Sequence, residues 1–148
     1  MDLNEMFPKE AEDAALKEML SHSAFQYLPA EIEKRLPKLG GVSRADWGEK
    51  EERIPIIVKY FLPHWTWYVL EGERQKNGDV AFFGYVEGFE KEFGYFSLTE
   101  IQEARLGAIR AERDLYFVGY LDYCPKPFRV KIVDSPVSEV LKVCGNLQ

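Results

Sequence analysis

Trp65-Thr66-Trp67-Tyr68-Val69-Leu70-Glu71-Gly72 and Val80-Ala81-Phe82-Phe83-Gly84-Tyr85-Val86-Glu87 flank Lys76-Asn77-Gly78-Asp79. Both runs have strand length and are rich in aromatic and β-branched residues, which suit a pleated, half-buried surface. Asn77-Gly78 tolerates positive φ at both central positions of a turn, so the pattern predicts a type I′ hairpin. Upstream, Ile54 to Phe61 reads as another strand, set off by Leu62-Pro63-His64, with His64 decorating the turn. Downstream, Glu92 to Phe96 reads as a fourth strand after Gly88-Phe89-Glu90-Lys91. A helix follows. Ser97-Leu98-Thr99-Glu100 has capping-box spacing, with Phe96 and Ile101 placed as a hydrophobic staple. Leu98, Ile101, Ala104 and Ala108 share a helical face, and Gly107 is a fitting stop.

Beyond this centre, Leu115 to Tyr120 and Phe128 to Val133 read as two more strands. Ser135-Pro136 is suited to cap a last helix whose Val137, Val140, Leu141 and Cys144 share a face. Toward the N-terminus, Ala11, Ala14, Ala15, Leu16, Met19 and Leu20 recur with helical spacing over Lys9 to Leu20. Pro29 suits the first turn of a short helix over Ala30 to Leu36, which Pro37 ends. Lys38 to Arg53 reads as a surface loop carrying Trp47. The expected fold is therefore α+β: one domain over 1–148 with a central antiparallel sheet of about five to six strands, a capped helix after the fourth, and helices at both termini.

Composition agrees with one folded unit. The 148 residues are 46% apolar and 30% charged, with 8 Tyr, 10 Phe and 3 Trp, which excludes disorder and low complexity for the whole chain. A net charge of -6 argues against a broad phosphate-binding surface, so no direct nucleic-acid binding is expected. Met1 to Lys9 offers neither a basic n-region nor an apolar h-region, and no apolar run reaches the ~20 residues of a membrane span. A cytoplasmic protein with no membrane contact is the expectation. Cys124 and Cys144 lack zinc-site spacing and are expected to be reduced.

The chemistry-bearing residues divide into an aromatic set and an acidic set. Strand alternation sends Trp65, Trp67, Val69 and Glu71 one way and Thr66, Tyr68 and Leu70 the other, and it opposes Phe83 and Tyr85 to Phe82. Both faces of the sheet are then aromatic. One is core; the other is either covered by the terminal helices or serves as a binding platform. The acidic set is Glu71, Glu87, Glu90, Glu92, Glu112 and Asp114. Glu87-x-x-Glu90-x-Glu92 lacks the ligand alternation and glycine of a calcium loop, so solvated charges are the simpler reading and no metal or cofactor is expected. The chain has no Gly-x-Ser-x-Gly, Walker loop, Gly-x-Gly-x-x-Gly or His-Glu-x-x-His, and its two histidines are His22 and His64. In Glu112-Arg113-Asp114, alternation sets Arg113 opposite its neighbours. Arg113 is expected to fork onto a carboxylate such as Glu90 or Glu92 while Glu112 or Asp114 caps a turn.

Phe61-x-Pro63-x-Trp65-Thr66-Trp67-Tyr68 with Glu71, then Phe82-Phe83-Gly84-Tyr85-Val86-x-Gly88-x-Glu90-x-Glu92-x-Gly94-Tyr95-Phe96-Ser97-Leu98-x-Glu100, then Glu112-Arg113-Asp114-Leu115-x-Phe117, resembles the domain of unknown function 2958 family. The pattern runs from Lys59 to Phe117, and Leu36-Pro37-x-Leu39 resembles the leading segment, so the family-like core is 36–117. Residues 1–28 then form an N-terminal helical extension and 118–148 a C-terminal strand and helix. The resemblance implies a protein of a bacterial mobile genetic element, plasmid or phage, among transfer and anti-defence genes, and supplies no catalytic residue.

Two functions follow as expectations. The first is a non-catalytic accessory protein that holds a protein partner on an aromatic, acid-rimmed sheet face built from Trp65, Trp67, Tyr68, Tyr85 and Tyr95 with Glu71 and Arg113. An acidic rim suits a basic partner, such as a nucleic-acid-handling enzyme. The second is a small metal-dependent hydrolase or nuclease-like enzyme that uses Glu90, Glu92, Glu112 and Asp114.

Overall fold

The computed structural model describes residues 23–40 and 50–134. The helices expected over 9–20 and after Ser135, most of the loop with Trp47, and Cys144 lie outside these residues. Within them the architecture is predominantly β. The elements are α1 (Ala30–Glu33), β1 (Glu52–Ile56), β2 (Val58–Leu62), β3 (Trp65–Arg74), β4 (Val80–Glu87), β5 (Lys91–Ser97), α2 (Leu98–Glu103), β6 (Arg105–Leu106), β7 (Ile109–Arg110), β8 (Glu112–Arg113), β9 (Gly119–Pro125) and β10 (Phe128–Asp134). They form a five-stranded antiparallel sheet in the order β5-β4-β3-β2-β8, a three-stranded sheet β1-β9-β10 and a β6-β7 hairpin.

The stretch expected as one strand over Ile54 to Phe61 divides at Ile57 between the two sheets. Ile54 pairs with Leu121 of β9, whereas Val58 pairs with Val69 of β3. The Ile57 N–H donates to the Val69 carbonyl at 2.9 Å, anchoring the chain at the crossing. Ile54, Ile56, Val58 and Tyr60 would share one face of an unbroken strand. The crossing instead commits Ile54 and Ile56 to the core between the sheets, and Val58 and Tyr60 to the opposite side of the larger sheet.

The larger sheet thus has two buried faces. The first carries Tyr60, Trp67, Val69, Val80 and Phe82, beneath Tyr27, Leu28, Ile32 and Leu36 and beneath Leu98 and Ile101 of α2. The second carries Tyr68, Leu70 and Tyr85, and the smaller sheet closes it with Ile54, Ile56, Leu121 and Tyr123. Gly84 is required between them, because a Cβ there would collide with the Tyr68 carbonyl.

Several local expectations need correcting. Strands β3 and β4 are hairpin neighbours as expected, but the turn is not type I′: Gly78 has φ +89 while Asn77 does not have positive φ. Gly78 N–H donates to the Gln75 carbonyl and Gln75 N–H to the Asp79 carbonyl. That pattern is a type I turn followed by a left-handed glycine, a three-residue loop. A bulge between Val69 and Glu71 shifts the register, so that Glu71 lies opposite Phe83 and joins the second face rather than the face of Trp67. The Ser97 Oγ accepts from Glu100 N–H at 3.1 Å as expected, yet Thr99 N–H is taken by Asp79 Oδ1 of the β3-β4 loop.

Helix α2 ends four residues before its expected glycine stop. Arg105 Nη1 donates to the Gln102 and Ala104 carbonyls, and Gly107 instead turns the β6-β7 hairpin. The strand expected over Leu115 to Tyr120 begins only at Gly119, because Asp114 Oδ1 accepts from Tyr116 N–H and makes a turn of the residues before it.

Candidate functional site

One end of the larger sheet gathers the turns Pro63-His64 and Gly88-Phe89-Glu90, since Thr66 pairs with Glu87 and Glu87 with Lys91. Pro63 has its φ fixed near -65°, and His64 follows with φ +64, a turn of type II character that starts β3 at Trp65. The half-buried Trp65 ring rests against Trp67 at 6.2 Å between centroids. Phe89 then meets Trp65 edge-on at 5.2 Å, with an interplanar angle of 88°. Gly88 permits this approach, because a Cβ there would lie 2.6 Å from the indole. Phe89 is 97% exposed. Exposed Glu90 and Glu92 follow it along the chain with Lys91 between them, whereas half-buried Glu87, paired with Thr66, lies on the side of Tyr68 and Tyr85. Among the described residues, the buried Trp65 Nε1 has no hydrogen-bond acceptor.

The remaining expected binding residues are dispersed. Trp67 is buried on the first face, and Tyr68 and Tyr85 are buried on the second. Glu71 is 1% exposed and accepts from Gly40 N–H at 3.1 Å. Tyr95 is 64% exposed and packs on Phe83 at 5.2 Å, near the β5 edge. Arg113 lies across from Tyr60, on the first face. It does not fork onto Glu90 or Glu92; its Nε donates to the Gln26 carbonyl at 2.8 Å and its Nη2 to the Ser23 carbonyl at 3.4 Å. The turn-capping role expected of Glu112 or Asp114 falls to Asp114.

The carboxylates named for catalysis do not assemble. Glu90 and Glu92 belong to the turn into β5 and to β5 itself, whereas Glu112 and Asp114 belong to β8 and its end, at the opposite edge of the sheet. Four strand spacings separate those edges, roughly 19 Å of backbone. Among the described residues no three His, Cys, Asp or Glu converge as metal ligands. Asp114 instead pairs with Lys59 at 3.4 Å, and the Lys59 ammonium lies over the rings of Phe117, Tyr68 and Phe61 at 5.1, 5.8 and 5.9 Å. Burial pushes the Tyr68 phenol up to about 12, with the charges of Glu87, Asp114 and Asp134 acting in the same direction. Tyr85 is also pushed up, by burial and then by Glu87. Both phenols therefore stay protonated at neutral pH and are hydrogen-bond donors rather than bases.

Phe89 was missed from sequence because it sits in a glycine-bounded turn; its signal was a large apolar residue where a polar one is usual. The class defined is a two-sheet antiparallel β protein with an aromatic, acid-rimmed tip. No family model, curated protein or solved structure matches the chain. Among the described residues no helix is long and apolar enough to cross a membrane, and Cys124 is a buried free thiol.

Proposed function

We propose that this chain is a non-catalytic, cytoplasmic accessory protein of a mobile genetic element or phage, and that it holds a basic protein partner at the Trp65-Phe89 tip. The observation that carries this reading is Phe89, a nearly fully exposed ring already braced against a second aromatic. Such anchors concentrate binding energy in interfaces, and a braced ring loses little conformational freedom on docking. Glu90 and Glu92 favour a partner of positive charge and steer its approach. A nucleic-acid-handling enzyme whose basic site is covered in this way is the partner class that fits an anti-defence role, and the genetic setting comes from the family resemblance.

The test uses full-length protein and a fluorescein-labelled, lysine-rich peptide interrupted by leucine, read by anisotropy. Saturable binding that weakens about tenfold or more in Phe89→Ser and in Glu90→Lys/Glu92→Lys, at unchanged Tm, supports the reading. Binding that ignores both variants sinks it. A Tm that rises on titrating magnesium or manganese favours the hydrolase reading instead.

A further inference from the structure

We propose that the Arg105–Arg110 hairpin is a second docking surface, which takes an acidic segment of a protein partner bearing an aliphatic side chain. Strands β6 and β7 pair Arg105 with Arg110 and Leu106 with Ile109, closed by Gly107-Ala108. Gly107 has φ +60 and Ala108 does not have positive φ, the pattern of a type II′ turn. All six residues are exposed, Leu106 by 50% and Ile109 by 49%. Alternation puts the two arginines on one face of the ribbon and the two aliphatic side chains on the other, and the ribbon is so short that a segment crossing the Gly107-Ala108 tip meets both pairs.

Like charges directly across a strand pair repel, and this occurs in a chain whose net charge is -6. Carboxylates to neutralise the pair are abundant in the sequence. Among the described residues, however, the ion pairs join Lys34 to Glu31, Lys59 to Asp114 and Arg74 to Glu33, and neither hairpin arginine takes part. Each guanidinium is nonetheless held in place. Arg105 Nη1 donates to the Gln102 and Ala104 carbonyls, both at 2.8 Å. The Arg110 guanidinium lies 4.6 Å over the ring of Phe25, itself exposed. A cation–π contact need not engage the Arg110 N–H groups as hydrogen-bond donors, so they can grip a carboxylate. Orientation in advance lowers the entropy lost on binding.

An acidic protein segment fits better than a nucleic acid. Two guanidinium groups neutralise two phosphates at most, and the net negative charge repels a polyanion elsewhere along the contact. Leu106 and Ile109 gain nothing from phosphates but match an aliphatic side chain. None of these residues belongs to the Phe89 tip, so this surface stands or falls independently of it.

The experiment titrates full-length protein into a fluorescein-labelled, glutamate-rich peptide interrupted by leucine. Expected is saturable binding that weakens as salt is raised, falls about tenfold or more in Arg110→Glu and in Leu106→Ser/Ile109→Ser, and is unchanged in Phe89→Ser. Arg110→Gln serves the same purpose should Arg110→Glu fail to fold, with circular dichroism reporting the fold. No saturable binding by the parent protein, or binding indifferent to these changes, overturns the proposal. Preferential capture of duplex DNA that is lost in Arg110→Glu overturns it in favour of nucleic acid. Self-association lost in the same variant overturns it in favour of a second copy of this chain.

Discussion

On the first face of the larger sheet, Tyr60 donates its hydroxyl to the Tyr27 carbonyl at 2.6 Å, Tyr27 donates to the Ala111 carbonyl at 2.7 Å, and Arg113 reaches the carbonyls of Gln26 and Ser23. On the second face the cover is a sheet, and Ile54, Ile56, Leu121 and Tyr123 meet Tyr68, Leu70 and Tyr85. The two covers differ in what their backbones need. Residues 23–29 belong to no strand, so their carbonyls take donors from the Tyr60 hydroxyl, the Arg113 guanidinium and, at Ala24, the Arg113 backbone N–H. Strands β1, β9 and β10 satisfy one another, so their inward side chains can be chosen for packing. Polar groups on the second face include Lys59 with Asp114 and, further along β3, buried Glu71, which accepts from Gly40 N–H. Here the irregular segment over the first face is held by polar groups that reach across to it from β2 and β8.

The strongest way to break the comparison is to empty the first face at its centre. Phe82 is fully buried against Tyr60 and Phe96, at 6.1 and 5.5 Å between ring centroids. Phe82→Ala is expected to cost ~3–5 kcal/mol in urea unfolding, and a loss below ~1 kcal/mol would mean that this face does not govern stability.

A sharper test separates the two covers. Arg113→Ala removes charged donors from the 23–29 segment and is expected to cost ~1.5–3 kcal/mol. Hydrogen exchange should show faster exchange at Tyr27 and Leu28 with Leu121 and Tyr123 unchanged. Equal loss of protection in both sets would show that the two covers open as one.

The cap of α2, above the first face, carries less. Ser97→Ala is expected to cost ~1 kcal/mol, and a variant as stable as the parent would leave the Asp79 bond to Thr99 N–H as the effective cap.

The smallest effect at neutral pH belongs to the second face. The folded protein holds the Tyr68 proton up to about 12, above the ordinary 10.0, so over that window the unfolded chain has lost a proton that the fold retains. Stability therefore falls as pH rises from ~10 to ~12. Tyr68→Phe should change Tm little at pH 7 and make the alkaline fall shallower; an identical fall in parent and variant would remove Tyr68 as its source.

Much of the larger sheet was legible because its signals are local. The Trp65 to Gly72 and Val80 to Glu87 runs, the Gly-bearing turn and Ser97 before Glu100 each act within a few residues, and each occurs near its expected place. The candidate site was less legible. Trp67, Tyr68 and Tyr85 are as aromatic in sequence as Phe89, and only their covers distinguish buried rings from an exposed one.

By itself the sequence determined the central strand runs, the aromatic character of both faces, the β3-β4 hairpin and the opposition of Arg113 to Glu112. Tertiary structure alone decided that Ile57 divides an apparent strand between two sheets, that the bulge after Val69 carries Glu71 to the other face, and that α2 yields to a hairpin at Arg105. The physical reason is range. Periodicity and capping are set by neighbours along the chain, whereas a sheet crossing, a bulge and the early end of a helix are settled by hydrogen-bond partners brought from elsewhere in the sequence or by side chains that compete for the same carbonyls.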